Sequence, residues 1–184
     1  MRHSEREIKD KELIKAILDM CDVINIAFFD EEYPYNLPVN FGYEYSKDLI
    51  FYCHHAPDGY KNHLIENHPK VCVVTHKFLD HIYNSYDHSG HDYRSVMAFG
   101  DISFIPSNSD EYEKAWQRLC ACNGRTLPEQ IYDADFRNWI KMSKIICRPE
   151  NITGKAQRRI TSLDQIPLKS DSRPAANKKQ NLSK

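Results

Sequence analysis

Residues 54–61, His-His-Ala-Pro-Asp-Gly-Tyr-Lys, are the part of this chain whose types and order best suit the capture of an anion. An apolar strand over 49–54 runs into a Pro/Gly turn, and Lys61 opens a short helix over 61–67. The start of a helix offers unpaired backbone N–H groups and a partial positive charge, both suited to a phosphate. Lys61 adds a full charge, and His54 at the strand end can donate one more hydrogen bond. The same residues also read as a surface lysine beside a turn, since Gly-x-Lys is common. One residue of register decides whether His54 or His55 points inward.

Two further segments carry compatible groups. Residues 93–100, Tyr-Arg-Ser-Val-Met-Ala-Phe-Gly, place Tyr93, Ser95 and Met97 on one face of a strand and Arg94 and Val96 on the other. A serine hydroxyl and an arginine guanidinium both serve phosphate, although plain strand alternation gives the same pattern. In residues 34–42, Pro34 and Pro38 interrupt the ladder donors around Asn40 and free neighbouring backbone groups for another partner. The edge of a flavin ring, with its acceptors and donors, is one such partner. A solvent-facing edge strand is the other reading.

The elements that must position these groups read mostly as strands. A helix is expected over 4–20, where Ile8, Ile14, Ile17, Leu18 and Cys21 share a stripe. Strands follow over 23–29, 37–43, 49–54, 71–74, 93–105 and 144–148, with Leu37, Val39, Phe41 and Tyr43 facing one way. Gly100 marks a bulge or bend in the long fifth strand. Between the last two strands, an amphipathic helix from about 110 carries Tyr112, Ala115, Trp116, Leu119 and Cys120 on one face and closes at Gly124. A second helix over 133–142 carries Phe136, Trp139 and Ile140, and both tryptophans read as core or dimer contacts. Six strands with few intervening helices predict a mainly β fold with flanking helices, an antiparallel barrel and not a doubly wound sheet.

Composition sets the outer limits. The 184 residues suit one domain, expected over 1–167, followed by a polar, basic tail over 168–184 that reads as disordered. A net charge of -1 gives no field to collect nucleic acid, so none is expected as a partner. No apolar run is long enough for a membrane span, and the charged N-terminus does not read as a signal peptide. The 6 cysteines form no C-x-x-C pair and sit mostly in apolar stretches, which predicts a reducing, cytoplasmic setting.

Taken in order, four elements resemble one family. They are Pro-x-Asn-Phe-Gly-Tyr at 38–43, His-x-Ala-x-x-Gly-x-Lys at 54–61, Tyr-x-Ser-Val at 93–96 with Gly100, and Thr-Gly-Lys at 153–155. The chain resembles, over roughly residues 5–155, the FMN-binding split-barrel proteins related to pyridoxamine 5′-phosphate oxidase. Within that group it is most similar to the branch linked to 5-nitroimidazole antibiotic resistance. The resemblance implies a six-stranded antiparallel split β-barrel and a homodimer with flavin at its interface. It implies that His54, Lys61 and Ser95 hold the phosphate side and that the backbone of Pro38, Val39, Asn40 and Phe41 lines the ring. Tyr93 and Lys155 complete the cofactor-binding set. FMN is the expected cofactor, with FAD as the alternative, and a small-molecule acceptor such as a nitroaromatic is the expected substrate. No side chain is singled out as a nucleophile, because the flavin carries the redox chemistry.

Two competing readings remain open. A non-catalytic flavin- or haem-binding protein for storage, sensing or detoxification would use His54 or loop histidines as axial ligands. A metal module would use His76, His81, His88 and His91, where His88-x-x-His91 has workable spacing. That polar stretch, 78–92, lacks a second tight pair; it reads as a solvated loop or a lid over the cofactor, and no native metal site is expected.

Overall fold

The computed structural model describes residues 3–82, 90–158 and 160–166. Its strands are β1 (Glu7–Ile8), β2 (Val23–Phe28), β3 (Tyr35–Asn40), β4 (Gly42–Tyr45), β5 (Leu49–His55), β6 (Lys70–Ile82), β7 (Gly90–Ile105), β8 (Lys141–Cys147) and β9 (Ile152–Ala156). The helices are α1 (Lys11–Asp19), α2 (Tyr60–Asn67), α3 (Asp110–Cys122) and α4 (Ala134–Trp139). The strands form one antiparallel, nine-stranded sheet of order β3-β2-β6-β7-β8-β5-β4, with β9 on β7 and β1 on β9. The mainly β fold with flanking helices is therefore as expected, but with nine strands in place of six. All six expected strands are present. The second is broken at Phe41 into β3 and β4, and two short strands, β1 and β9, are added.

The break at Phe41 shapes the whole sheet. β3 pairs with β2 and β4 pairs with β5, so one chain segment, 35–45, forms both ends of the strand order. The sheet curls until its ends meet at this kink, without a hydrogen-bonded closure. A side chain at Gly42 would collide with the α3 backbone at Arg118 and Leu119, so glycine is what allows the kink to seat against the helix.

β7 is the spine. Residues Arg94 to Ala98 pair with β9 and residues Asp101 to Ile105 pair with β8, while β6 runs along the other edge. Gly100 lies at this changeover, packed against the Ile146 carbonyl and Cys147. The inner face buries Ile24, Ile26, Phe51, Val73, Val96 and Ala98, and α1 plugs it with Leu13, Ile14, Ile17 and Leu18. Asp10 caps α1, its Oδ1 accepting from the Leu13 N–H at 2.9 Å, which shortens the helix expected from residue 4. The outer face of β5, β8 and the end of β7 buries a second cluster under α3, where Tyr52, Ile105 and Met142 meet Tyr112, Trp116 and Leu119. Lys144 Nζ to Glu111 Oε2 (2.6 Å) and Lys114 Nζ to Glu44 Oε1 (2.7 Å) hold α3 in place.

Residues 78–92 depart from the loop reading. β6 and β7 continue as a paired ribbon through Phe78↔Tyr93, Asp80↔Asp92, His81↔His91 and Ile82↔Gly90, with a register shift between Phe78 and Asp80. One face of this ribbon packs Leu79 against the core and buries Asp92, a polar residue where an apolar one would mark a strand, so its sequence carries little strand signal. The hairpin tip, His88 included, and the tail over 168–184 lie outside the described residues.

Candidate functional site

β5 alternates, and its last two residues part company. His55 turns to the inner face, buried, with its ring centroid 5.5 Å from that of Phe104. Burial, with Lys61 nearby, pushes its pKa down to about 4, so the ring is neutral near pH 7. The Ala56 backbone and the Asn62 side chain lie beside the ring and favour its charged form, against the burial. His54 turns outward beneath α3, one ring face against Trp116 (centroids 5.5 Å, planes 30° apart) and one edge open to solvent. Desolvation by this packing, then the Lys61 and Arg125 charges, lower its pKa as well.

The turn after β5 is built to place Lys61. Gly59 has φ 131°, a conformation that only glycine adopts readily, and it caps α2. Asn62, 8% exposed, donates through Nδ2 to the Pro57 carbonyl at 2.6 Å and braces the turn from inside. Lys61, on the first turn of α2, is half-buried, and burial lowers its pKa. No carboxylate pairs with it among the described residues. A half-buried cation at a helix start with no counter-charge is an anion site in both charge and geometry.

The other expected residues form a second group on the outer, convex face. Ser95 lies opposite His76 on β6 and Lys155 on β9. Lys155 Nζ lies 5.7 Å from the ring centroid of Tyr93. Met97 (44% exposed), Phe99 (53%) and Val23 (39%) continue this face as an uncovered apolar surface. Pro38 and Asn40 are exposed on β3, opposite Asn25 and Val23. Asn40 Nδ2 donates to the Asp22 carbonyl at 2.9 Å. Val39 is half-buried against the core and Phe41 fully buried in it, and the Phe41 carbonyl accepts from Asn123 Nδ2 at 3.0 Å. Arg94, weighed as a phosphate partner, instead points inward and pairs with Asp92.

The two groups are linked by register but not merged. His54 stands opposite Met142, itself opposite Ile105, so His54 aligns with the C-terminal end of β7. Ser95 is roughly 30 Å back along that strand at ~3.3 Å per residue. Asn40 stands between them: it pairs with Val23 on the convex face and lines a cavity of about 280 Å³ together with His54, Trp116 and Arg125.

Trp116, Arg125 and Asn62 were not singled out as site residues by the sequence. Trp116 reads as core and is buried, yet its ring also walls the cavity beside His54. Trp139, expected in the core or a dimer contact, is 72% exposed in the single chain and so is not core. The Asn-Gly-Arg run at 123–125 was the available signal for Arg125, as the closing turn of α3. His81 and His91 face each other across the ribbon, ring centroids 5.1 Å apart, but no cluster of three or more metal-ligating side chains occurs among the described residues.

Comparison with known proteins places these features. Among solved structures, the chain is similar to a candidate 5-nitroimidazole antibiotic resistance protein from Bacteroides thetaiotaomicron, with TM-score 0.69 and 25% identity over 82% of this chain and 86% of that one. It is similar in fold to the FAD and haem binding protein from Mycobacterium smegmatis, with TM-score 0.66 and 14% identity over 87% and 78%. The same holds for the flavocytochrome Anf3 from Azotobacter vinelandii, with TM-score 0.65 and 21% identity over 91% and 78%. No curated protein matches the sequence. The sequence profile of the pyridoxamine 5′-phosphate oxidase family matches residues 10–156, which span β2 to β9, the Lys61 turn and the convex face, and the chain belongs to that family.

Proposed function

We propose that this chain is a flavin-dependent oxidoreductase that holds FMN, or alternatively FAD, and reduces a small nitroaromatic or related acceptor. The half-buried Lys61, without a counter-charge at the start of α2, is the observation that carries this reading. Lys61 and His54 would hold the phosphate end of the flavin. Ser95, Tyr93 and Lys155, with the exposed Pro38 and Asn40, would take other parts of the cofactor. Because these groups lie apart on one chain, the site is complete in a homodimer in which the Met97–Phe99 face of one copy meets the other. The apolar exposure of that face supports this, and the 6 free cysteines suit a cytoplasmic setting.

When bound, the flavin supplies the electron transfer. The residues of the chain bind, orient and tune. Lys61 places positive charge beside the anionic end, the neutral His54 offers a ring nitrogen to a proton or hydrogen bond, and Trp116 fixes the ring of His54 by stacking. A second reading, a non-catalytic flavin or haem carrier, draws on the same neutral His54 as an axial ligand. Purified protein separates the two. A flavin spectrum with NAD(P)H-dependent reduction of a nitroaromatic supports the enzyme. A Soret band, or bound flavin that no acceptor reoxidises, refutes it.

A further inference from the structure

The cavity beside His54 contains more chemistry than cofactor binding requires. It lies between the outer face of the sheet and the C-terminal half of α3, with a volume of about 280 Å³. Aromatic and apolar groups form its walls: Trp116 and Phe136 have ring centroids 5.6 Å apart, His54 stacks on Trp116, and Ile140 closes one side. Such an arrangement fits a flat ring better than a flexible chain. Ordinary ligand pockets run from about 300 to 1,000 Å³, so this one suits a ligand of one or two fused rings.

The cavity has one charged group in its lining. Arg125 lines the cavity, its charge is felt by both His54 and Cys120, and no carboxylate lines the cavity with it. Its position is set by the end of α3. The Gly124 N–H bonds the Ala121 carbonyl (3.2 Å) and the Arg125 N–H bonds the Cys120 carbonyl (2.9 Å), a Schellman closure that needs the positive φ of Gly124 (61°). Asn123 ties the same turn to the β3–β4 kink through the Phe41 carbonyl. The backbone of Arg125 is thus fixed beside the cavity, which its exposed side chain lines.

We infer that this cavity is a binding site for a small planar aromatic carboxylate of one or two fused rings. The ring lies against Trp116, Phe136 and His54, and the carboxylate meets the Arg125 fork. Arg125 is the cation of the lining, so a single negative charge is matched. A nitro group is planar with two terminal oxygens but has no net charge, so a nitroaromatic enters as a weaker isostere of the acid. The binding does not rest on the flavin reading, which places His54 at the phosphate end of the cofactor.

The test uses full-length protein bearing Trp139→Phe, which leaves Trp116 as the single fluorophore of the 2 tryptophans. Benzoate, 2-naphthoate, benzamide and nitrobenzene are titrated, with calorimetry in parallel and flavin content read from the visible spectrum of the same samples. The carboxylates are expected to quench Trp116 saturably and to bind at least about tenfold more tightly than benzamide or nitrobenzene. Arg125→Gln should lose at least about tenfold in carboxylate affinity with flavin content unchanged. In calorimetry, Trp116→Phe should weaken binding several-fold. Equal affinity for acid and amide, undiminished binding in Arg125→Gln, or no saturable binding up to roughly 10 mM would each overturn the assignment. A preparation without flavin that still binds the acids refutes the flavin reading alone.

Discussion

Replacing Lys61 by Met isolates the phosphate assignment, because Met keeps the unbranched stem and removes only the charge. Lys61 is half-buried and its pKa is lowered by burial, so the folded apo-protein gains nothing from the ammonium. The variant should fold as well as the parent. A phosphate that uses this ammonium gains a charge-assisted hydrogen bond of roughly 1.5–3 kcal/mol. Its loss weakens FMN binding by roughly 10- to 150-fold. The assay is quenching of flavin fluorescence on titrating apo-protein into FMN and, separately, into riboflavin. Riboflavin has the same ring and no phosphate, so its affinity should be the same for parent and variant. FMN affinity that survives Lys61→Met would refute the role of Lys61. Equal losses for FMN and riboflavin would instead show a collapse of the site and refute the phosphate argument. The apo-protein gives an independent sign. The unfolded chain holds the lysine proton up to about pH 10.4, and the folded chain releases it earlier, so stability should rise with pH across that window and the rise should vanish in Lys61→Met.

His55 gives a pH prediction at the acid end. Its pKa falls from an ordinary 6.5 to about 4 in the folded chain, so the unfolded chain binds more protons between these values and stability falls as pH drops through them. The loss is up to about 3 kcal/mol and is read from urea midpoints at pH 7 and 4.5; His55→Leu should show a smaller loss, and an identical one would remove His55 as its source. Met97→Glu places a charge in the centre of the convex apolar face, where Met97 is 44% exposed. Sedimentation should show a monomer that keeps its far-UV spectrum but has lost flavin; a dimer that retains flavin would place the interface elsewhere.

Most of the sheet was legible because its strands have one buried face, which forces alternation into residues such as Leu37, Val39 and Phe41. The kink at Phe41 was not legible, since alternation continues through it and only the contact of Gly42 with α3 reveals the change of partner. β1 and β9 are short edge pieces, and Thr153-Gly154-Lys155 looked like a binding motif although it is also a strand on β7. Within the site, the local parts could be read: the turn, the glycine with positive φ and the lysine at the helix start all lie within a few residues. What could not be read was assembly across the fold. Arg125 and Trp116 reach the His54 cavity only because α3 crosses the outer face, and no sequence spacing encodes that crossing.

The distribution of unsatisfied polar groups bears on where function is concentrated. Folded chains satisfy nearly all of their buried polar atoms, so exceptions are informative when they cluster. Among the described residues the buried side-chain atoms without a protein partner belong to His55, Asn62, Arg94 and Trp116. His55 lies within the 54–61 segment, Asn62 braces its turn, and Trp116 stacks on His54. Only Arg94, already paired with Asp92, is elsewhere. The others lie near one strand end and one helix start, His55 on the inner face of the sheet and Trp116 on the outer. The unpaired charge of Lys61 and the lining charge of Arg125 flank the same place. A chain that keeps two cations without carboxylate partners around one strand end forgoes stability there, and such a cost persists where a ligand offsets it. If that is its origin, FMN and an aryl carboxylate should each raise Tm by binding the folded state alone, and their effects should add, since Lys61 and Arg125 serve different anions.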